Sequence, residues 1–498
     1  MKKDISAKLA PASWPYVSPS PGQFPIVVST VFPEDYHKFP VRENYVEAID
    51  AGVNTGITGV PTPYSGAGSL NPVLNTSYIE KILSTASKTG INLYLTAGLL
   101  TAGDSLGPDN NLRTQFLTAA LKYPETKGFS IRDEPAFEEL TTLGQKILTI
   151  QNLLNSITSK ETMLYVNLAG TIANRVDATH LASDSEKSLQ GNLSYPAYLK
   201  TVWDELHPQV WSFDFYPFNY KFDYNIQDGE GKTGWFSGTF NNLENKLANL
   251  YNVMYYHALQ SFHPASGYLT RPFWAFCMTS GHILYDTEND TINVMFPVPT
   301  IGQLRLEAFT ALAFGAQGIR HWVYAKRSNQ THNTIFLTAP VNKQAKKTAI
   351  WYTLRQLNNE IQRYSSVFLN AQFVDFGMFP KQAGVISDES VFISNTCVSS
   401  VSVTGGRGVL ATHLKNSKIG YPASPAGESN FLVVVSRDPE STVRVNISFK
   451  SAFVIEEITP VNVTFGDPVG FLPQTGPNRT LQRTLSPGSY LIFRYHQR

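Results

Sequence analysis

The sequence predicts an α/β chain, a (β/α)8 barrel followed by an all-β sandwich domain. Three observations predict it. Eight short apolar runs alternate with stretches of helical periodicity across residues 23–367. From about residue 370 the texture changes to short strand-like runs separated by Gly, Pro, Asn and Ser. No glycine-rich phosphate loop follows the first apolar run, which argues against the doubly wound open sheet.

The first four strand candidates are 24–31 (FPIVVSTV), 52–60 (GVNTGITGV), 90–97 (GINLYLTA) and 127–134 (KGFSIRDE). The remaining four are 162–168 (TMLYVNL), 209–217 (QVWSFDFYP), 271–279 (RPFWAFCMT) and 317–324 (QGIRHWVY). Helical patterns such as YIEKILSTASKTG, LTTLGQKILTIQNLLNSI and IGQLRLEAFTALAFGAQG lie between them; the last carries glycine near its C-terminal end. The β-rich part spans 368–498 and includes SVFISNTCVSSVSVT, NFLVVVSRD, TVRVNISFK, AFVIEEIT and SYLIFRY. Its boundary falls after KTAIWYTLRQLNNEIQRYSSVF. Residues 1–22 are polar and rich in Pro and Ser, with three lysines but no apolar core of a signal peptide. They read as a tether, and the chain as part of an exported, secreted, periplasmic or cell-surface protein that its full-length precursor could hold at a membrane.

Composition narrows the partners. The 498 residues are 42% apolar and 16% charged, enough for a large core. Lys plus Arg number 40 against 39 for Asp plus Glu, with no basic stripe, so nucleic acid is not expected as a partner. No apolar run is long enough to span a membrane. The two cysteines, Cys277 and Cys397, make neither a disulfide framework nor a metal cluster. Asp286, Glu288 and Asp290 alternate like a calcium loop, but Thr291 and Pro297 stand where its glycine and closing glutamate belong. Neither a metal nor a cofactor is implied. Aromatics at 12% suit both a core and a sugar-binding cleft.

Barrels of this kind work at the C-terminal ends of their strands. Alternation along each strand assigns Ser130, Arg132 and Glu134 to the interior in strand four, and Tyr165 and Asn167 in strand five. It assigns Ser212, Asp214 and Tyr216 in strand six, and Arg320, Trp322 and Tyr324 in strand eight. The expected mouth therefore holds Arg132, Glu134, Asn167, Asp214, Tyr216 and Trp322, with Asp133 at its rim. Two carboxylates beside aromatic walls are the equipment of glycoside hydrolysis, one to protonate the leaving oxygen and one to attack or to activate water. Each residue also has a plainer reading. Glu134 could pair with Arg132 and cap the next helix, and Asp214 could accept from loop amides. Trp322 could be core filler, and Tyr216 turn packing before Pro217.

The motif Asp133-Glu134-Pro135 at the end of strand four resembles the Asn-Glu-Pro of clan A retaining glycoside hydrolases, which are TIM barrels. The likeness covers nearly the whole chain. LRLEAFTALAFGAQGIRHWVY and FDFYPF are similar to segments of bacterial glycosidase-like proteins distantly related to family 42 β-galactosidases, and LSPGSYLIFRY resembles the closing strand of the β-domain that follows such barrels. The resemblance implies a carbohydrate substrate and Glu134 as general acid/base, its pKa raised by burial. Asp214 is the expected partner carboxylate. Asp133 and Arg132 would position substrate or tune Glu134, Asn167 and Tyr216 would hydrogen-bond the sugar, and Trp322 would be its platform. One departure stands out: the clan's nucleophile is a glutamate ending strand seven, and here that strand ends WAFCMTSGH, with Asp286 and Glu288 the nearest acids. A sugar-binding protein on a degenerate barrel, a structural module, and a uronate lyase using Arg132 and Tyr216 are the rival readings.

Overall fold

The structure, a computed structural model, describes residues 23–29, 41–59, 64–65, 73–74, 76–96, 100, 110–170, 193–228, 231–240, 242–261, 271–286, 291–326, 334–342, 344–416, 429–458 and 479–497. The expected tether at 1–22 and the loop acids Glu288 and Asp290 lie outside these residues. Eight parallel strands close into a barrel in chain order. They are β1 (Ile26–Ser29), β2 (Thr55–Gly59), β3 (Asn92–Thr96), β4 (Thr126–Asp133), β5 (Met163–Ala169), β6 (Trp211–Asp214), β7 (Phe273–Met278) and β8 (Gly318–Trp322). Each is followed by one major helix: α1 (Arg42–Asp50), α2 (Thr76–Ser87), α3 (Asn110–Leu121), α4 (Leu140–Ile157), α5 (Tyr195–Leu206), α6 (Leu243–Gln260), α7 (Ile301–Ala313) and α8 (Ala349–Arg363).

Strand alternation sorts the apolar side chains into two cores. Ile26, Val28, Leu93, Leu95, Phe129, Trp211 and Phe213 face the helices. Val27, Ile57, Tyr94, Met163, Tyr165, Val210 and Trp274 fill the barrel interior. The interior is tight at two glycines, Gly128 of β4 and Gly318 of β8. A Cβ on Gly128 would lie 2.1 Å from the Met163 carbonyl oxygen and 2.7 Å from Tyr94 Cε1, and one on Gly318 would lie 2.5 Å from Trp274 Cδ1. The three rings of Tyr94, Tyr165 and Trp274 occupy the room so provided, with centroids 5.6–6.3 Å apart.

Eight further strands follow: β9 (Gln372–Phe379), β10 (Val398–Thr404), β11 (Val409–Asn416), β12 (Ser429–Ser436), β13 (Val443–Phe449), β14 (Phe453–Ile458), β15 (Arg479–Leu485) and β16 (Tyr490–Gln497). They form an antiparallel five-stranded sheet, β9-β11-β12-β16-β14, and a three-stranded sheet, β10-β13-β15. The five-stranded sheet is buried on both faces. Phe431, Val433 and Val435 of β12 join the helix-side core of the barrel, while Leu432 and Val434 face the three-stranded sheet. This explains α7, in which every residue from Gly302 to Ala313 except Arg305 is buried. The barrel covers one side and the sheet the other, with Phe309 stacked on Tyr490 at 3.4 Å between centroids.

Two elements differ from expectation. The run SVFISN, expected as strand, belongs to a short helix, Glu389–Asn395, because the Asp388 carboxylate accepts from the amides of Ser390 and Val391 and starts a helical turn. The loops after β6, β7 and β8 carry an unforeseen antiparallel sheet. Its strands run in the order Gly231–Phe240, Tyr220–Asp228, Thr291–Phe296, Gly281–Asp286 and Thr334–Thr338.

Gly128→Ala is expected to destabilise the protein by about 1–3 kcal/mol, because the new methyl meets a backbone carbonyl that cannot move aside. A lower urea midpoint than the wild type would register the loss; an unchanged midpoint would show that the interior has slack.

Candidate active site

The end of β4 carries one extra residue. Ser130 pairs with Tyr165, but the next pairs are Arg132 with Val166 and Asp133 with Asn167, so Ile131 is left over as a bulge. Residues paired across a parallel ladder share a face. Val166 belongs to the helix-side core, so Arg132 is directed outward, whereas Asn167 faces the interior and brings Asp133 with it. The expectation that Arg132 faces into the mouth is corrected accordingly. Its guanidinium donates to both carboxylate oxygens of Glu139, at 3.0 and 2.9 Å, and lines a surface pocket of about 340 Å³ with Glu138, Thr142 and Lys146. The Arg132 hydrogen bonds and the Ala136 amide hold the Glu139 carboxyl below its usual range. Glu139, which the sequence reading passed over, is thus the partner of Arg132.

Glu134 follows the bulge in the left-handed region, at φ 41°. That conformation costs on the order of 1–3 kcal/mol for a residue with a Cβ. The Glu134 amide donates to the Asn167 carbonyl at 2.9 Å, and its carboxyl lies near enough to Asp214 to raise the pKa of that group. Glu134 is exposed rather than buried, so contact with a second acid, not burial, sets its environment. Burial, the charges of Glu134 and Asp133, and the bond to Glu134 push Asp214 well above the usual carboxylate range, while the Asn167 amide pulls the other way. Two neighbouring carboxyls do not both ionise readily.

Beneath Asp214 lies a chain of buried polar groups. Asn167 Nδ2 donates to Asp214 Oδ1 at 3.0 Å, and Ser212 Oγ donates to Asn167 Oδ1 at 2.9 Å. Tyr165 Oη is hydrogen-bonded to Ser212 Oγ. Arg320 Nη1 donates to Tyr165 Oη at 2.6 Å, and its Nε to Ser29 Oγ at 2.9 Å. Burial opposes the guanidinium charge, but Tyr165 and Asp133 outweigh it and raise the Arg320 pKa. The guanidinium also lies over the Phe276 ring, 4.2 Å from its centroid. Alternation placed Tyr165, Ser212 and Arg320 in the interior, yet nothing in the sequence linked them to Asp214.

The wall beside the pair is aromatic. Tyr216 stands edge-on to Phe276 and Phe296, with centroids 6.2 and 6.0 Å away. Its hydroxyl is buried and has no hydrogen-bond partner among the described residues, and burial followed by the Asp214 charge pushes its pKa well up. Trp322 closes β8 and packs with Val323, Phe336 and Ala339; the Trp322–Val323 peptide bond is cis. Phe296 and Phe336 both come from the antiparallel sheet at the mouth. Tyr324, expected inward, instead joins the helix-side core, where Trp351 Nε1 donates to its hydroxyl at 3.0 Å. Alternation fails there because the strand ends at Trp322.

The structure also accounts for the end of β7. Thr279 and Ser280 continue it, hydrogen-bonded to the carbonyls of Val323 and Trp322. A carboxylate does reach this strand end, but from behind. Glu307 of α7 accepts from the Met278 amide at 3.0 Å, is 1% exposed, and has a second oxygen without a partner. Among the described residues no group of His, Cys, Asp and Glu is arranged to hold a metal ion.

No protein-family profile matches the chain, and no curated protein sequence matches it. Solved structures do. A catalytic mutant of a GH42 β-galactosidase from G. stearothermophilus superposes with a TM-score of 0.54 at 8% identity, covering 97% of this chain and 100% of that one. The two share the fold, a closed eight-stranded parallel barrel followed by antiparallel sheets. A family 39 glycoside hydrolase from Bacteroides cellulosilyticus matches with a TM-score of 0.45 at 10% identity, over 94% of this chain and 81% of that one. A glucosidase from Croceicoccus marinus matches with a TM-score of 0.41 at 9% identity, over 95% of each chain.

Burial raises the Glu307 pKa well above its ordinary value, so the folded protein keeps a proton there that the unfolded chain releases near pH 4. Stability from this group is therefore full at low pH and falls as pH rises toward the folded pKa. Glu307→Gln should remove that slope, gaining on the wild type at pH 7 relative to pH 4 in parallel urea titrations. An unchanged difference at the two pH values would mean that Glu307 is ionised in the folded state.

Proposed function

We propose that the protein is a glycoside hydrolase that cleaves an O-glycosidic bond of an oligo- or polysaccharide, with Glu134 as the general acid/base. The observation that carries this reading is the neighbouring carboxyls of Glu134 and Asp214 at the C-terminal mouth of the barrel, with the buried Tyr216 hydroxyl near Asp214. Neighbouring carboxyls of which one is held well above its usual range can supply an acid, which is what protonation of a leaving alkoxide oxygen needs. The aromatic wall suits the C–H faces of a sugar ring. The fold shared with glycoside hydrolases supports the same reading.

The roles divide as follows. Glu134, exposed at the mouth, protonates the glycosidic oxygen and then serves as base. Tyr216 donates its hydroxyl to the sugar or to the carboxylate formed, and Trp322 is the platform for the reacting ring. Asp133, directed inward by the bulge, faces substrate hydroxyls. Asn167 holds Asp214. Asp214 is the candidate partner carboxylate, held by Asn167 and interacting with the charge of Glu134; Asp286 and Glu288 are the sequence's alternatives for the second group. No cofactor is invoked, because carboxyls supply the acid and the base.

The second reading, a sugar-binding protein on the same barrel, is favoured by the end of β7, where Met278, Thr279 and Ser280 present no carboxylate and Glu307 faces the core. A panel of natural oligosaccharides and polysaccharides separates the two. Wild-type protein should release reducing ends from one class of glycan, and Glu134→Gln should lower the rate by about 10²–10⁴-fold with the fold intact. Full activity of Glu134→Gln would remove Glu134 from the chemistry. Binding without release by both proteins would establish the second reading.

A further inference from the structure

The β-sandwich has four edge strands, β9 and β14 in one sheet and β10 and β15 in the other. An edge strand turns half of its backbone N–H and C=O groups away from its one neighbour. Folded chains blunt such edges with charges, bulges or cover, because a bare edge pairs with another strand. Three of the four edges here are blunted. β9 carries a bulge between Phe373 and Asp375, and its Phe373 and Phe376 pack into the helix-side core of the barrel. β14 carries Glu456 and Glu457, and β15 carries Arg483. Arg483 Nη2 donates to Glu457 Oε2 at 2.6 Å, which ties these two edges together.

β10 has no such device over its last five residues. Its one irregularity is the register shift at Ser399, and Ser400 to Thr404 then pair with β13 without a break. They read Ser-Val-Ser-Val-Thr, with neither charge nor proline. Ser400, Ser402 and Thr404 are exposed on the outer face of the sheet. Val401 and Val403 are only half-buried on the inner face, at the margin of the sandwich core.

We propose that the β10 edge is where two copies of this chain associate, joining their three-stranded sheets into one six-stranded sheet about a two-fold axis at Ser402. A two-fold axis that pairs a strand with itself makes the pair antiparallel, with one patch facing its own image. Centred on Ser402, it sets Val401 against Val403 of the partner subunit on the inner face. On the outer face it sets Ser400 against Thr404 of the partner subunit. The valine pairs extend the sandwich core across the junction, the hydroxyl pairs stay on the wet side, and no charge meets a like charge. The outward backbone groups of the strand gain the partners that the single copy does not give them.

The test is the oligomeric state of the full chain, followed by sedimentation velocity from about 1 to about 100 µM, the range that suits a small interface. The wild type should pass from monomer to dimer across it. Ser402→Lys changes an exposed side chain and places two ammonium groups at the axis, so it should weaken the dimer by at least about tenfold. Ser402→Cys should cross-link to its own copy through a short bis-maleimide, because facing Cβ atoms in an antiparallel pair lie about 4.5–5.5 Å apart. The native Cys277 and Cys397 are buried and stay out of that reaction. Gln482→Cys, on the tied edge β15, should remain uncross-linked. A wild type that stays monomeric, a dimer that Ser402→Lys leaves intact, or cross-linking as ready from Gln482→Cys as from Ser402→Cys would overturn the proposal. Should Ser402→Lys not fold, the two cysteine variants decide it.

Discussion

A guanidinium buried near the centre of a barrel is the constraint from which the rest of the mouth follows. Arg320 is 5% exposed. A charge so placed is tolerated only where polar groups meet its donors. Ser29 and Tyr165 accept from it, Phe276 offers a ring face, and Asp133 lies close enough to favour its charge. Satisfying Tyr165 draws in Ser212, and satisfying Ser212 draws in Asn167. A barrel floor of aliphatic residues would leave Asp214 without the ordered donor at its base. The polar layer sits directly above the aromatic layer of Tyr94, Tyr165 and Trp274, so packing below fixes the positions of hydrogen bonds above.

Glu134 depends on a second, smaller device. The bulge at Ile131 moves Arg132 to the helix side and Asp133 to the interior, and Glu134 follows in the left-handed region, near enough to Asp214 to raise its pKa. One inserted residue thus exchanges a cation for an anion at the mouth. The interior cation, Arg320, comes from β8 instead and lies below the carboxyls rather than beside them. The strain at Glu134 is held by its amide bond to the Asn167 carbonyl, the same residue whose side chain grips Asp214.

Much of this was legible in the sequence where a period could be counted. All eight barrel strands overlap the expected segments, with β4 starting one residue early at Thr126 and β5 ending one residue late at Ala169, because buried strands of a closed barrel are short, apolar and regularly punctuated. Trp211, Phe213 and Phe215 pack toward the helices and Ser212 and Asp214 toward the interior, as alternation requires. The failures occur where the period breaks without a residue to announce it. No glycine or proline marks Ile131, so the outward turn of Arg132 could not be counted. Tyr324 lies past the last paired residue of β8, and Asp388 outweighed the strand-like run after it by capping two amides. Glu307 was hidden differently. Its helix reads as an ordinary amphipathic one, and only the sheet packed on its far side makes its carboxyl a buried group. The hairpins at the mouth were passed over because long loops carry no hydrophobic face that demands a particular partner.

The complete burial of α7 bears on how such a protein can be rearranged. A barrel helix with one face in water can be kept when a neighbouring module is exchanged or lost. Here Phe309 stacks on Tyr490, and the strands of β12 complete the same core that α7 joins to β7 and β8. The barrel cut free of the following sheet would present a greasy helix to solvent, directly behind the strands that frame the mouth. The two parts are therefore inherited together or not at all, and new specificities are easier to reach through the loops of the rim than by trading modules.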